Sequence, residues 1–198
     1  RDIWSGGGEF SYGRVVLTAY AAARVPVRAD FADEAGNLIA SMLAAGLDGD
    51  AMRWSGEVEQ GSLGWALLAL ADPNRSTRVT DGQLDSFVDD DDSSGQQKSR
   101  MLLAGLAGLD RIDDAEIGEY SDRLGIDLSA PTRWTRMIEG AAAVDNPALV
   151  AMLAGLGMQG SGWDQMTARH LFHIVAALRR VGLDAEARMI AAEAVARA

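Results

Sequence analysis

The chain has 198 residues, of which 48% are hydrophobic and 24% charged, a net charge of −11 at neutral pH, and no cysteine. That length suffices for one packed domain or one array of small repeats, and without cysteine there is no disulfide framework, zinc ribbon, thiol nucleophile or iron–sulfur ligation. The acidic balance argues against nucleic acid or anionic lipid as a partner held through overall charge.

The sequence opens on Arg1 rather than Met, which implies a processed chain or a fragment of a longer one. Ser5-Gly6-Gly7-Gly8-Glu9 reads as a polar entry, with no apolar core of a signal peptide before it. The three glycines lack the Gly-Lys-Ser/Thr and the preceding strand of a phosphate loop. Helical periodicity then dominates. Apolar spacing and stop signals predict helices over 12–24, 33–45, 50–58, 62–71, 81–90, 96–107, 113–124, 132–144, 147–156, 162–181 and 184–196. Val15-Val16-Leu17 suggests a short strand, but Ala19 to Ala23 continues it as helix. No run alternates at period two, and 34 residues are Ala, the best helix former. Of the 18 basic residues 17 are Arg, a bias that fits a GC-rich, bacterial coding sequence.

Four tripeptides share one pattern: Gly46-Leu47-Asp48, Gly108-Leu109-Asp110, Gly125-Ile126-Asp127 and Gly182-Leu183-Asp184. A glycine in the left-handed region ends a helix, the apolar residue folds back on it, and the Asp can accept the free N–H groups of the next helix. Such tripeptides make helical hairpins with very short loops. Pro131 and Pro147 mark starts, and Ser161 with Asp164 reads as a capping pair. Met42-Leu43-Ala44-Ala45-Gly46-Leu47, Met101-Leu102-Leu103-Ala104-Gly105-Leu106 and Met152-Leu153-Ala154-Gly155-Leu156 suggest three repeat units, 38–98, 99–147 and 148–198, within a single domain spanning 1–198.

Gln60 to Pro73, ending Ala66-Leu67-Leu68-Ala69-Leu70-Ala71-Asp72-Pro73, resembles the second helix of a tetratricopeptide repeat. Gly182 to Ala194 resembles the first. The resemblance implies a helical-hairpin array and brings no site residues with it.

Few residues suggest chemistry. Asp90, Asp92, Ser94 and Gly95 follow the start of a calcium loop, but position 12 is Met101, where a bidentate Glu is required. The run Asp89 to Asp92 is therefore read as a solvated acidic loop, and Asn74 to Gln97 as the most mobile internal stretch. His170 and His173, the only histidines, lie three apart. A helical wheel puts His170 on the flank of the stripe Leu171, Ile174, Val175, Leu178 and His173 on its far side, with no carboxylate at i+4 to complete a metal site. No Gly-x-Ser-x-Gly elbow supplies a nucleophile. Trp65 reads as core. Trp134, between Arg133 and Arg136, reads as half exposed, and these three residues are the candidate partner-binding group, since Trp and Arg are favoured interface anchors.

The sequence thus predicts an all-α protein of about ten short helices in antiparallel hairpins, arranged as a solenoid-like array or an irregular bundle. The expected function is that of a non-enzymatic scaffold or adaptor for a protein or peptide, with no cofactor, metal or nucleic acid. The alternatives are a helical accessory domain of a larger enzyme whose catalytic residues lie elsewhere, and a small-ligand binder with a cavity lined by Met, Trp and Leu. No apolar run reaches the roughly 18 residues of a membrane helix. A soluble chain is expected, in the cytoplasm or the periplasm.

Overall fold

The computed structural model describes residues 12–75, 77–160 and 163–198. Gly6 to Gly8, Trp4 and Ser161, and the side chain of Asp164, lie outside that description. Among the described residues there are eleven α-helices and no strand: α1 (Tyr12–Ala22), α2 (Ala35–Ala44), α3 (Asp48–Met52), α4 (Leu63–Ala71), α5 (Asp81–Asp89), α6 (Gln97–Gly108), α7 (Asp114–Leu124), α8 (Arg133–Ala143), α9 (Pro147–Gly157), α10 (Ala168–Arg180) and α11 (Asp184–Arg197). The fold is all-α, as the periodicity predicts. Short 3-10 turns precede α2, α6 and α10 and follow α3, so the helices expected over 33–45, 50–58 and 162–181 are each shorter than their apolar pattern.

Starts are fixed by side chains. Ser62, Thr132, Asn146 and Thr167 accept hydrogen bonds from N–H groups in the first turns of α4, α8, α9 and α10, each satisfying a donor that has no helical partner. Thr80 with Gln83, and Asp113 with Glu116, form reciprocal capping boxes. Of the four Gly-apolar-Asp stops, Gly46, Gly125 and Gly182 have positive φ, at 73°, 63° and 78°. Gly108 does not. It is the last residue of α6, and the left-handed position passes to Asp110, with φ 57°. Gly108 is needed for another reason: a Cβ there would lie 2.8 Å from the side chain of Val175 on α10.

Two helices are buried almost all round. In α4 every residue from Gly64 to Ala71 is buried, and in α6 so are Ser99, Gly108 and every residue from Met101 to Leu106. A helix apolar on every side belongs inside. The remaining helices surround this pair. α1 packs on α2 and α2 on α4; α11 packs on α4 and α6; α10 packs on α6 and carries α8 and α9 on its other side. The C-terminal hairpin of α10 and α11 therefore sits between the first helices and the α8–α9 pair.

That placement corrects the wheel. His173 is 5% exposed, not on a solvated far side, because α10 is covered by α6 on one face and by α8 and α9 on another. Its Nδ1 lies 2.9 Å from Glu139 Oε1 on α8, while Nε2 is buried without a well-formed partner. Burial holds its pKa below the ordinary histidine value, aided by His170 and opposed by Glu139 and the Leu128 carbonyl.

The acidic run is tied to its neighbours by hydrogen bonds and ion pairs. Asp91 Oδ1 accepts from the Ser93 N–H (2.9 Å) and hydroxyl (2.6 Å), and its Oδ2 from the Ser99 N–H (2.8 Å) and hydroxyl (2.5 Å). Burial pushes this carboxyl up, but those four bonds outweigh it and hold the group below its usual range. Asp91 is thereby committed to starting α6. Asp85 and Asp89 are each 2.6 Å from Arg123 on α7.

Candidate functional site: the outer face of the α8–α9 hairpin

From Gly140 to Met158 the only charged residue is Asp145. Thr132 opens α8, its Oγ1 accepting from the Thr135 N–H at 3.0 Å. The helix ends in a tight turn in which Asp145 adopts φ 51°. Asn146 then caps α9 by accepting from the Leu149 N–H at 3.0 Å, and Pro147 occupies the first turn, where no N–H is needed. The two helices run antiparallel and bury Thr135, Ile138, Ala141 and Ala142 of α8 against Val150, Leu153 and Ala154 of α9 and against α10.

The opposite side of this pair is not covered by any of the described residues. Met152 is 73% exposed, Leu156 54% and Leu149 40% on α9, Met137 49% on α8, and Val144, just after α8, 73%. These are five of the eight large hydrophobic side chains that are exposed among the described residues. Between them lie the exposed small residues Ala148, Ala151 and Gly155 of α9 and Gly140 of α8. A helix such as α9, apolar on every side yet open on one, exposes a surface on the order of several hundred Å², larger than scattered surface leucines would make.

Of the three residues singled out from the sequence, Arg133 and Arg136 are exposed on the same stripe of α8 as Met137 and Val144, at its N-terminal end. Trp134 is half-buried beneath the face. Its Nε1–H donates to the Leu153 carbonyl at 3.2 Å, and its ring packs against His170 at 4.9 Å. A Cβ on Gly157 would overlap that ring. Trp134 thus locks α8 to α9 from below, and the two arginines flank the apolar surface. In the sequence Met152 and Leu156 stand out only as part of a repeat motif, and Leu149 not at all. The signal was there: α9 has no charged residue to define a solvent face.

Two other clusters have definite geometry. At the C-terminus of α4, Arg111 donates to the carbonyls of Ala69 (2.6 Å), Leu70 (2.9 Å) and Asp72 (2.7 Å), and Arg188 donates to that of Ala71. Burial, with help from Arg188 and Arg75, lowers the Arg111 pKa to about 10, so it is still a cation at neutral pH. These groups are occupied in closing a helix end. Separately, a cavity of about 410 Å³ lies between α1, α2, α4 and α11, lined by Leu43, Leu63, Leu67 and Met189, with Lys98 and Glu193 among its polar groups. Among the described residues no cluster of His, Asp or Glu could hold a metal ion, and no helix is long and apolar enough to cross a membrane.

Comparison with protein families, with characterised proteins and with solved structures returned no match for the chain.

Proposed function

We propose that the chain is a non-enzymatic helical scaffold or adaptor that docks a protein partner on the outer face of α8 and α9. The observation that carries this reading is the open side of α9, where Leu149, Met152 and Leu156 face solvent on a helix that has no charged side chain. Burying a large apolar side chain contributes about 1.5–3 kcal/mol, and Arg133 and Arg136 at the rim supply direction and register. The test is a photo-crosslinking amino acid placed at Met152 in cells of the native host, with the same residue at exposed Glu59 as control. A discrete protein adduct at position 152 and none at 59 supports the reading. Equal labelling at both positions, or none, overturns it.

A second reading rests on the cavity of about 410 Å³, which falls in the size range of small-ligand sites and is mainly apolar with Lys98 at hand. Its occupant would be a slender apolar molecule with an anionic end. A fluorescent long-chain carboxylate that binds the wild type, and binds Lys98→Met or Leu67→Trp no more weakly, would count against it.

A further inference from the structure

We propose that the partner of the α8–α9 face is a second copy of this chain, packed antiparallel so that α9 lies along α9 of the other copy about a two-fold axis near Met152. The proposal rests on that face being a docking surface and names its occupant.

Three observations point to a like copy. First, the face is self-complementary in shape. Leu149, Met152 and Leu156 are interspersed with Ala148, Ala151 and Gly155 along the exposed side of α9, so with the axis at Met152 the two methionines meet each other, while Leu149 lies level with Gly155 of the other copy and Leu156 level with its Ala148.

Second, it is self-complementary in charge. Asp145 sits in the turn before α9, at one end of the face. Arg133 and Arg136 sit at the other end, because Trp134 beside them reaches Leu153 and Gly157, in the last turns of α9. Asp145 precedes Met152 by seven residues, about 10 Å along a helix. An antiparallel pair centred on Met152 therefore places each Asp145 beside the arginine end of the other copy, twice by symmetry. A parallel pair would set the arginines against arginines.

Third, the chain carries a net charge of −11, and acidic surfaces such as those of α5 and α7 would repel a like copy. The span Gly140 to Met158 has a single charge, and that charge is matched in the antiparallel arrangement.

The test uses the purified full chain in sedimentation equilibrium. The wild type is expected at twice its 21.0 kDa at tens of micromolar, and Met152→Glu with Leu156→Glu is expected at the monomer mass with an unchanged helical circular dichroism spectrum. Their dissociation constant should rise roughly 100-fold or more, as hot-spot losses do. The charge arrangement gives a sharper arm. Asp145→Lys alone and Arg133→Asp with Arg136→Asp alone should each weaken self-association, while an equimolar mixture of the two variants should form a heterodimer, since every end then pairs opposite charges. A wild type that stays at 21.0 kDa at 200 micromolar overturns the proposal, as does a dimer that survives the two glutamates or a mixture no tighter than its components. The cellular crosslink at Met152 separates the two readings: an adduct with a different protein, beside a monomeric purified chain, refutes the homodimer and leaves the docking face standing, whereas no adduct at all refutes both.

Discussion

Arg111→Met is expected to destabilise the fold by about 3–4 kcal/mol. The wild-type guanidinium makes three short bonds to carbonyls at the end of α4, a helix buried from Gly64 to Ala71. Hydrogen bonds from a charged donor are worth about 1.5–3 kcal/mol each, and an orphaned buried carbonyl costs about 1–3 kcal/mol. The three do not add in full. The cation loses hydration when it is buried, as its lowered pKa records, and it is held beside Arg188. Methionine keeps most of the stem packing, so the loss reports the bonds. For a domain of this size each kcal/mol moves the melting temperature by about 2–4 °C, which gives a fall of roughly 10 °C. Urea unfolding followed by far-ultraviolet circular dichroism measures it. Arg111→Lys should recover less than half of the loss, because an ammonium lacks the planar fork that reaches several carbonyls at once. A methionine variant within 0.5 kcal/mol of wild type would show that water closes the end of α4 equally well, and the reasoning would fail.

Three further outcomes follow from the packing. Since burial holds the His173 pKa below its unfolded value of about 6.5, the unfolded chain takes up a proton that the folded chain refuses, and stability should fall as the pH drops from about 6.5 through the folded pKa; His173→Gln should flatten that slope in denaturation series between pH 7 and 5, and an unchanged slope would reject the assignment. Gly108→Ala and Gly182→Ala should both destabilise by about 1 kcal/mol or more, but only at position 182 should Asn recover part of the loss, because Asn tolerates the left-handed region that Gly182 occupies, whereas any Cβ at Gly108 meets the Val175 Cβ and the Phe172 carbonyl; recovery by Asn at both positions, or at neither, in thermal melts would refute the division. Asp91→Ala should cost about 2 kcal/mol, and in the wild type the Asp91 contribution is present at neutral pH and is lost as the pH falls through its lowered pKa; hydrogen exchange that is no faster over Ser93 to Arg100 in the variant would contradict its role as the anchor of α6.

Local signals in the sequence located most helix ends. Pro147 acts at short range, and so do Gly46, Gly125 and Gly182, so neighbouring residues suffice to read them. Interactions that depend on what covers a helix were not legible. Gly108 looks like a stop because it follows an apolar run, yet its small size answers to Val175, sixty-seven positions on. A wheel assumes one buried stripe, and α10 has two covered faces, so His173 was placed in solvent. In α9 the apolar content shows that a surface needs covering, and only the assembled fold shows that the described residues leave Met152 exposed. Arg133 and Arg136 drew notice through composition, and Trp134 through size. Their division into rim and underlying lock depends on Gly157 and Leu153, which nothing near Trp134 in sequence reveals.

The closure of α4 has a consequence for how the chain is made. Ala71 waits for Arg188, 117 residues later, and Ala69 waits for Arg111, 42 residues later. During synthesis the most apolar helix of the fold therefore leaves the ribosome with its terminal carbonyls bare and its flank open to α11, which does not yet exist. At about 5–20 residues per second the wait for Arg188 and α11 lasts roughly 6–23 s, and the flank of α4 stays open for that time even after Arg111 has arrived. Long-range closure of this kind slows folding, and it makes the arrival of α11, rather than the formation of any early hairpin, the event that commits the protein to its native state.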